Sequence, residues 1–314
     1  MMQLDRVTLG RVAKELGFVR DTLEKVCRLA DVLRFFESDD LLTNALALKG
    51  GTAINFTIFN LPRLSVDIDL DYCGNISKEA MLVDRDIITN KINKYMVANG
   101  YSLSPKTKNY HALDSFVYEY VNSGGVKDNL KIEINYMLRC HVLPVARRKV
   151  SLPWSTDDFT VLSVAPLEIF GSKIVALFTR TAPRDLYDIH NMVKRCLFDE
   201  SEAVMLRKCA VYYSAIGAET APVEFEIESI DNVSSQQIKR DLNPVLRKGE
   251  RFNLKEVQTE TKNYLASVLT ATEEEKKFWK DFSKKKYNPE LIFGKSSELQ
   301  NIKNHPMALW KCKE

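Results

Sequence analysis

Residues 50–72 read GGTAINFTIFNLPRLSVDIDLDY. The stretch opens on two glycines and ends in three aspartates at alternate positions, Asp67, Asp69 and Asp71. Aspartate is a poor strand former, yet its alternation with Val66, Ile68, Leu70 and Tyr72 has the period of a β-strand. On a strand, side chains two apart share a face, so the aspartates line one side while the apolar residues enter a core. Three carboxylates in a row, roughly 7 Å apart at their Cα atoms, repel one another and require a positive partner. A hard cation such as Mg2+, which takes one or two carboxylates together with substrate phosphates, is the natural candidate. The plain alternative is an exposed edge strand whose acids discourage aggregation. The preceding Lys49-Gly50-Gly51-Thr52 weighs against it, because glycines let a phosphate approach the backbone and a following helix N-terminus favours an anion.

A phosphate cradle beside a metal-binding strand suits transfer of a nucleotidyl group, in which the metal offsets developing charge and aligns the attacking oxygen with the leaving pyrophosphate. A third carboxylate on a neighbouring strand usually completes such a site. Within LKIEINYM, residues 130–137, Glu133 stands between Ile132 and Ile134 and is the candidate. The competing reading is that Glu133 marks only the solvent face of its strand.

The 314 residues allow two domains, or one with a helical extension. An apolar fraction of 45% and a charged fraction of 28% are those of an ordinary globular protein, and a net charge of +3 is too small to announce a nucleic-acid binder. The six cysteines are scattered, with neither CxxC pairs nor zinc spacing, which fits reduced thiols in the cytoplasm. The N-terminus lacks the apolar core of a signal peptide, and no apolar run reaches the length of a membrane span. Neither GxxxxGK[ST] nor GxSxG is present, so P-loop NTPases and α/β-hydrolases are not supported.

Periodicity predicts helices over residues 8–48, ending in a short apolar LALKG, then a short helix at 52–59 stopped by Pro62. Residues 77–98 read as a helix capped by Ser77, with Gly100 beyond its end. SFVYEYV, LKIEINYM and DFTVLSVA read as strands. Helices follow at PLEIFGSKIVALFTR and RDLYDIHNMVKRC, and the chain is mainly helical from residue 200 onward, with capping-box spacing at Asn253/Glu256 and Thr272/Glu275. The predicted fold class is α/β (α+β): a small mixed-sheet core with N-terminal helices, residues 1–165, and a mainly helical C-terminal half, residues 166–314.

The stretch KGGTAINFTIFNLPRLSVDIDL resembles the opening motif of the AbiEii/AbiGii-type nucleotidyltransferases. These are toxins of type IV toxin–antitoxin and abortive-infection systems, related to the mycobacterial MenT toxins and part of the polymerase-β-like nucleotidyltransferase superfamily. KIVALFTRTAPRDLYDIHNM resembles their second motif, with Lys173, Arg180, Arg184, Asp185 and Asp188 at the matching positions. HPMALWKC near the C-terminus shares the family's character. The chain departs from the pattern in carrying Gly51-Thr52 in place of Gly-Ser, and in the fifteen residues between Gly51 and Asp67.

The resemblance implies a Mg2+-dependent (or Mn2+-dependent) nucleotidyltransferase toxin that moves a nucleotide from an NTP onto RNA, with tRNA the expected acceptor, in phage defence. Asp67, Asp69 and Glu133 would hold metal. Lys49, Gly50, Gly51, Thr52, Arg63, Ser65, Arg180 and Arg184 would bind the nucleotide, and Lys173 with Asp185 or Asp188 would complete the catalytic set. A winged-helix antitoxin that need not touch the toxin is implied as partner, and the setting is cytoplasmic without a membrane. Read on its own, the Lys173–Arg184 segment is an ordinary amphipathic surface helix, and Asp185 or Asp188 can serve to orient Lys173 or Arg180. Basic clusters at 147–149, 276–277 and 284–286, with Trp279 and Tyr287 nearby, can hold an RNA backbone or simply be solvated faces. Two further readings keep the fold and change the chemistry: a pseudoenzyme that binds nucleotide or RNA, and a metal-dependent phosphoester hydrolase.

Overall fold

The structure, a computed structural model, describes residues 5–74 and 76–313. The chain divides into two compact units. The first comprises the residues up to Arg139, Val145–Val164 and Pro244–Glu250, and the second Cys140–Pro144, Ala165–Asn243 and the residues from Arg251 on.

The first unit opens with helices α1 (Arg6–Leu16), α2 (Arg20–Glu37) and α3 (Asp40–Ala45). Asp5 caps α1 by accepting from the amides of Val7 and Thr8, and Asp39 caps α3 in the same way from Leu41 and Leu42. The expected helix does not run to residue 48. Leu46–Lys49 form a strand, β1, whose Leu46, Ala47 and Leu48 are all buried. Three apolar residues in a row followed by a lysine carry no period of their own, so pairing with the aspartate strand decides their state. Helix α4 (Gly50–Ala53) continues as a π-helical turn over Ile54–Ile58, and β2 (Asp67–Tyr72) follows. Ser77 caps α5 (Lys78–Ala98) as expected, and Gly100 beyond its end has φ +80°.

The remaining strands are β3 (Ser102–Leu103), β4 (Lys108–Asn109), β5 (Leu113–Val121), β6 (Lys127–Asn135), β7 (Ala146–Val150) and β8 (Phe159–Ser163). They form one mixed sheet in the order β3-β5-β6-β2-β1-β8-β7, with β4 also paired to β5. β2 runs parallel to β6 and antiparallel to β1, and β1 runs parallel to β8. The basic run at 147–149 therefore lies on an edge strand, β7, and not on a helix. Arg147 donates to Thr43 Oγ1 (2.7 Å) and Asn44 Oδ1 (2.9 Å), and Lys149 pairs with Asp158 at 2.5 Å. The 244–250 segment belongs here because the amide of Leu64 donates to Val245 O (2.8 Å) and Arg247 donates to Leu16 O (2.6 Å) and Leu61 O (3.0 Å).

The second unit consists of α6 (Pro166–Arg180), α7 (Pro183–Lys194), α8 (Glu200–Gly217), α9 (Ser235–Gln237), α10 (Leu254–Val268), α11 (Glu273–Ser283), α12 (Glu290–Phe293), α13 (Ser297–Ile302) and α14 (Pro306–Lys313), with short 3₁₀ and π turns between 227 and 242. Pro166 and Pro183 sit in the first turns of α6 and α7, where the missing N–H costs nothing. At Gly171 of α6 a Cβ would stand 2.6 Å from Cys209 Cβ, so glycine sets the close crossing of α6 on α8. Buried Glu168 ties down the 140–144 segment by accepting from the amides of Val142 (2.8 Å) and Leu143 (3.0 Å), and it also accepts from the Tyr213 hydroxyl. Thr272 and Glu275 form a reciprocal capping box on α11, which ends at Ser283, so Lys284–Lys286 lie beyond the helix. Phe278 and Trp279 are core residues of this unit. No helix among the described residues is long and apolar enough to cross a membrane.

Candidate active site

Strand register assembles a row of functional groups across four strands of the first unit. Asp69 on β2 pairs with Lys49 on β1 and with Glu133 on β6, and Glu133 in turn pairs with Ser115 on β5. Residues in register point to the same side of a sheet, so Lys49, Asp69, Glu133 and Ser115 share one face. Asp67, in register with Lys131, and Asp71, in register with Asn135, lie on the same face. The opposite face carries Ile68, Leu70, Ile132, Ile134 and Phe116, all buried, as the alternation requires.

The turn before this row is shaped around Asp69. Gly50 has φ +66°, in the left-handed region, and a Cβ there would stand 2.6 Å from Asp69 Oδ2. Both the backbone conformation and the close approach demand glycine. At Gly51 a Cβ would meet Arg63 Nη2 and Ser65 Oγ, each at 2.9 Å. Arg63 is buried (2% exposed) and donates through Nη1 to Leu64 O at 2.9 Å, so its guanidinium is a fixed charge against the glycine turn. The buried hydroxyl of Thr52 donates to Asp67 O and joins the turn to the start of β2.

Asn55 belongs to the same construction and was not singled out by the sequence patterns. It is fully buried, its Nδ2 donates to Gly51 O (2.7 Å), and its Oδ1 accepts from the Arg63 amide (3.3 Å). One carboxamide thus fixes both the glycine turn and the loop that carries Arg63 and Ser65. The loop holds Asn60 and Leu61 at φ +51° and +59°, and the Leu61 amide donates to Asn55 O at 2.8 Å. The signal available in the sequence was a polar residue on the apolar helix AINFTIF.

The charges expected to meet a ligand have protein partners as well. Lys49 Nζ lies 2.5 Å from Oδ1 of Asp71, whose side chain is 5% exposed, so the compensating charge for the third aspartate comes from the neighbouring strand. Glu133 Oε2 lies 2.9 Å from Lys131 Nζ. Among the described residues no three acids, histidines or cysteines stand together at metal-ligand distance. The donors nevertheless suit a hard cation in kind: Asp67, Asp69 and Glu133 offer only carboxylate oxygens, all half-buried, and two of them are in register.

The second unit carries its own charged cluster. Lys173, on α6 and 7% exposed, places Nζ 2.9 Å from Asp185 Oδ1 and 2.9 Å from Asp188 Oδ2, both on α7. Arg180 donates to Asp185 through Nε (2.6 Å) and Nη2 (2.9 Å). Burial pushes the Asp185 carboxyl up, but Lys173 and Arg180 outweigh it and hold the group well below the usual carboxylate range. The two aspartates both hold Lys173, which is the orienting arrangement. Arg184 is half-exposed on α7. His190 bonds Glu260 at 2.7 Å, a local contact between α7 and α10.

Residues 33–283 match the family model described as nucleotidyl transferase AbiEii toxin, type IV TA system. No curated protein sequence matches the chain. Among solved structures, MenT4, a nucleotidyltransferase toxin from Mycobacterium tuberculosis H37Rv, is similar over 98% of this chain and 99% of its own at 14% identity, with a TM-score of 0.67. At that identity the likeness is one of fold. The CdnC:HORMA-deltaN complex of E. coli MS115-1 aligns over 98% of both chains at 15% identity, but its TM-score of 0.26 carries no argument. Matched over most of its length by the family model, this chain belongs to the AbiEii nucleotidyltransferase toxins of type IV toxin–antitoxin systems, with a nucleotide as substrate and an antitoxin as partner.

Proposed function

We propose that the protein transfers a nucleotidyl group from an NTP to an RNA acceptor, tRNA first among them, using Mg2+ or Mn2+ held by Asp67, Asp69 and Glu133. The observation that carries the reading is the row Lys49–Asp69–Glu133 set against a glycine turn that Asp69 itself packs on. Bound there, a divalent cation would offset the charge building on the transferred phosphate and align the two reacting oxygens. For Glu133 to join it, its carboxylate has to leave Lys131.

The chain's own residues have these roles in the proposal. The turn Gly50–Thr52 admits the phosphates close to the backbone, and Arg63 and Ser65 supply a fixed guanidinium and a hydroxyl beside Gly51. Lys49 lends its positive charge to Asp71 and the phosphates together. For Lys173, Arg180, Arg184, Asp185 and Asp188 the support is the family-like motif together with a pre-set ion cluster. Asp185 and Asp188 fix the position of the Lys173 ammonium, which is the group proposed to act in turnover.

The family supports a setting in abortive infection, a winged-helix antitoxin and a cytoplasmic reaction, and we adopt all three as part of the proposal. A track for RNA is better supported at Lys284–Lys286, which are exposed, than at 147–149, where Arg147 and Lys149 are bonded within their own unit. Incubation with labelled NTPs, Mg2+ and total tRNA tests the reading. Label on RNA, lost in Asp69→Asn, is the expected result. Release of labelled nucleotide or phosphate without labelled RNA would favour hydrolysis, and binding without turnover a pseudoenzyme.

A further inference from the structure

A cleft of about 340 Å³ opens in the second unit, lined among others by Glu219, Thr220, Phe282, Lys285, Trp310 and Lys311. Its walls come from the chain just after α8, the end of α11 and the helix α14. The volume is that of a small-molecule site. None of these residues belongs to the acid strand, the glycine turn or the Lys173 cluster.

The chemistry of the walls is unusual for an idle surface groove. Trp310 is 46% exposed, which leaves much of its indole for a ligand. Two lysines converge beside it without a carboxylate in ion-pair contact among the described residues. Lys285 donates to Lys311 O at 3.1 Å, and Lys311 donates to Ala218 O. These bonds satisfy carbonyls near helix C-termini, a sufficient structural reason for one cation at each place. They use only one of the three donors on each ammonium. The two charges also stand close enough that burial first, and then Lys285, pull the Lys311 ammonium below its ordinary value. Lys285 itself sits at φ +62°, a left-handed conformation rare for a lysine. The cleft thus brings two ammonium groups together, with Glu219, among the described residues the one acid acting on Lys311, only partly offsetting burial and Lys285.

We propose that this cleft binds a nucleoside phosphate moiety, its base stacked on Trp310 and its phosphate between Lys285 and Lys311. A bare inorganic anion would leave the exposed indole of Trp310 unused. Glu219 in the lining repels a polyanion but can accept from an exocyclic amine or a ribose hydroxyl, and the Thr220 hydroxyl adds a second polar group. An aromatic ring beside lysines is the arrangement by which proteins hold single-stranded nucleic acid without reading its sequence. The moiety is either a free nucleotide or one unit of an RNA chain, and both present the same base and phosphate. Nucleotide binding here does not rest on the transfer reaction, although Lys285 also belongs to the exposed Lys284–Lys286 run proposed above as an RNA track.

The test is fluorescence titration of the full chain with AMP and, separately, with a short single-stranded oligoribonucleotide. The chain has three tryptophans, and Trp279 is buried in the core. The expected result is quenching by one or both probes that disappears in Trp310→Phe and whose midpoint rises about ten-fold or more in Lys285→Glu. Both variants are surface changes, and an unchanged thermal midpoint confirms their folding. Quenching by AMP assigns the site to free nucleotides. Quenching by the oligoribonucleotide alone, weakening steeply with salt, assigns it to an RNA chain. Quenching that persists in Trp310→Phe, binding unchanged in Lys285→Glu, or no response to either probe overturns the proposal, whatever the outcome of the transfer assay.

Discussion

Asp69 fills the space that a side chain on Gly50 would need: a Cβ at position 50 would lie 2.6 Å from Asp69 Oδ2. The glycine turn and the acid strand are therefore one packed object and not two neighbouring motifs. Gly50→Ala must leave the left-handed region and displace the carboxylate. A loss of about 1–2 kcal/mol in stability is expected from the backbone alone, with turnover falling further because Asp69 moves. Denaturant unfolding and NTP turnover, measured on the same variant, check both parts.

Asp67, Asp69 and Asp71 are not equivalent. Asp67→Asn and Asp69→Asn should abolish turnover with the thermal midpoint held or raised, since each removes a like charge from a crowded face. Asp71→Asn should act mainly on stability, by roughly 1–2 kcal/mol, because it leaves the partly buried Lys49 ammonium without its carboxylate. Full turnover in Asp69→Asn would remove the metal assignment.

Lys173→Met should destabilise the fold by about 3–5 kcal/mol, since Asp185 and Asp188 would face each other across a buried gap. Lost activity in that variant alone is therefore ambiguous. Lys173→Met with Asp188→Asn leaves Arg180 and Asp185 balanced and should recover part of the stability, with a coupling of about 1–3 kcal/mol. If turnover stays lost in this stabilised double variant while Asp188→Asn alone retains it, Lys173 acts in the reaction. If turnover returns, Lys173 is structural.

Asp185 has its folded-state pKa depressed below the ordinary 3.8, so its contribution is present above that value and is lost as pH falls below it. Asp185→Asn should lower stability at neutral pH and flatten the acid limb of the stability curve below about pH 4. Urea midpoints between pH 2 and 7 will show it.

Asp31 behaves in the opposite sense. Burial pushes it up to about 6, with Arg34 and Arg28 opposing. Between the ordinary 3.8 and 6 the folded state keeps a proton that the unfolded state has lost, so stability declines as pH rises through that window. Asp31→Asn should remove the decline and raise stability above pH 7 by about 1 kcal/mol, after allowance for solvent screening at a half-buried site. A stability curve of unchanged shape would contradict the assignment.

The features legible in the amino-acid string were local and periodic. Alternation and β-rich composition marked the aspartate strand and strands at 115–121 and 130–137, which form over Leu113–Val121 and Lys127–Asn135, a 3.6-residue period with Ser77 and Pro166 at the starts marked two long helices, and the family motifs were readable as strings. Leu46–Lys49 and Ala146–Val150 were not legible as strands, because one is too short and too uniformly apolar to show a period and the other is a run of bases on an edge. Their state is decided by partners far along the chain, β2 and β8. The same holds at the site. That Glu133 and Lys49 flank Asp69, that Lys49 is held by Asp71, and that Asn55 joins Gly51 to Arg63 are facts of register and packing. Strand register depends on which residues meet across the sheet, and a local window of sequence contains only one side of each meeting.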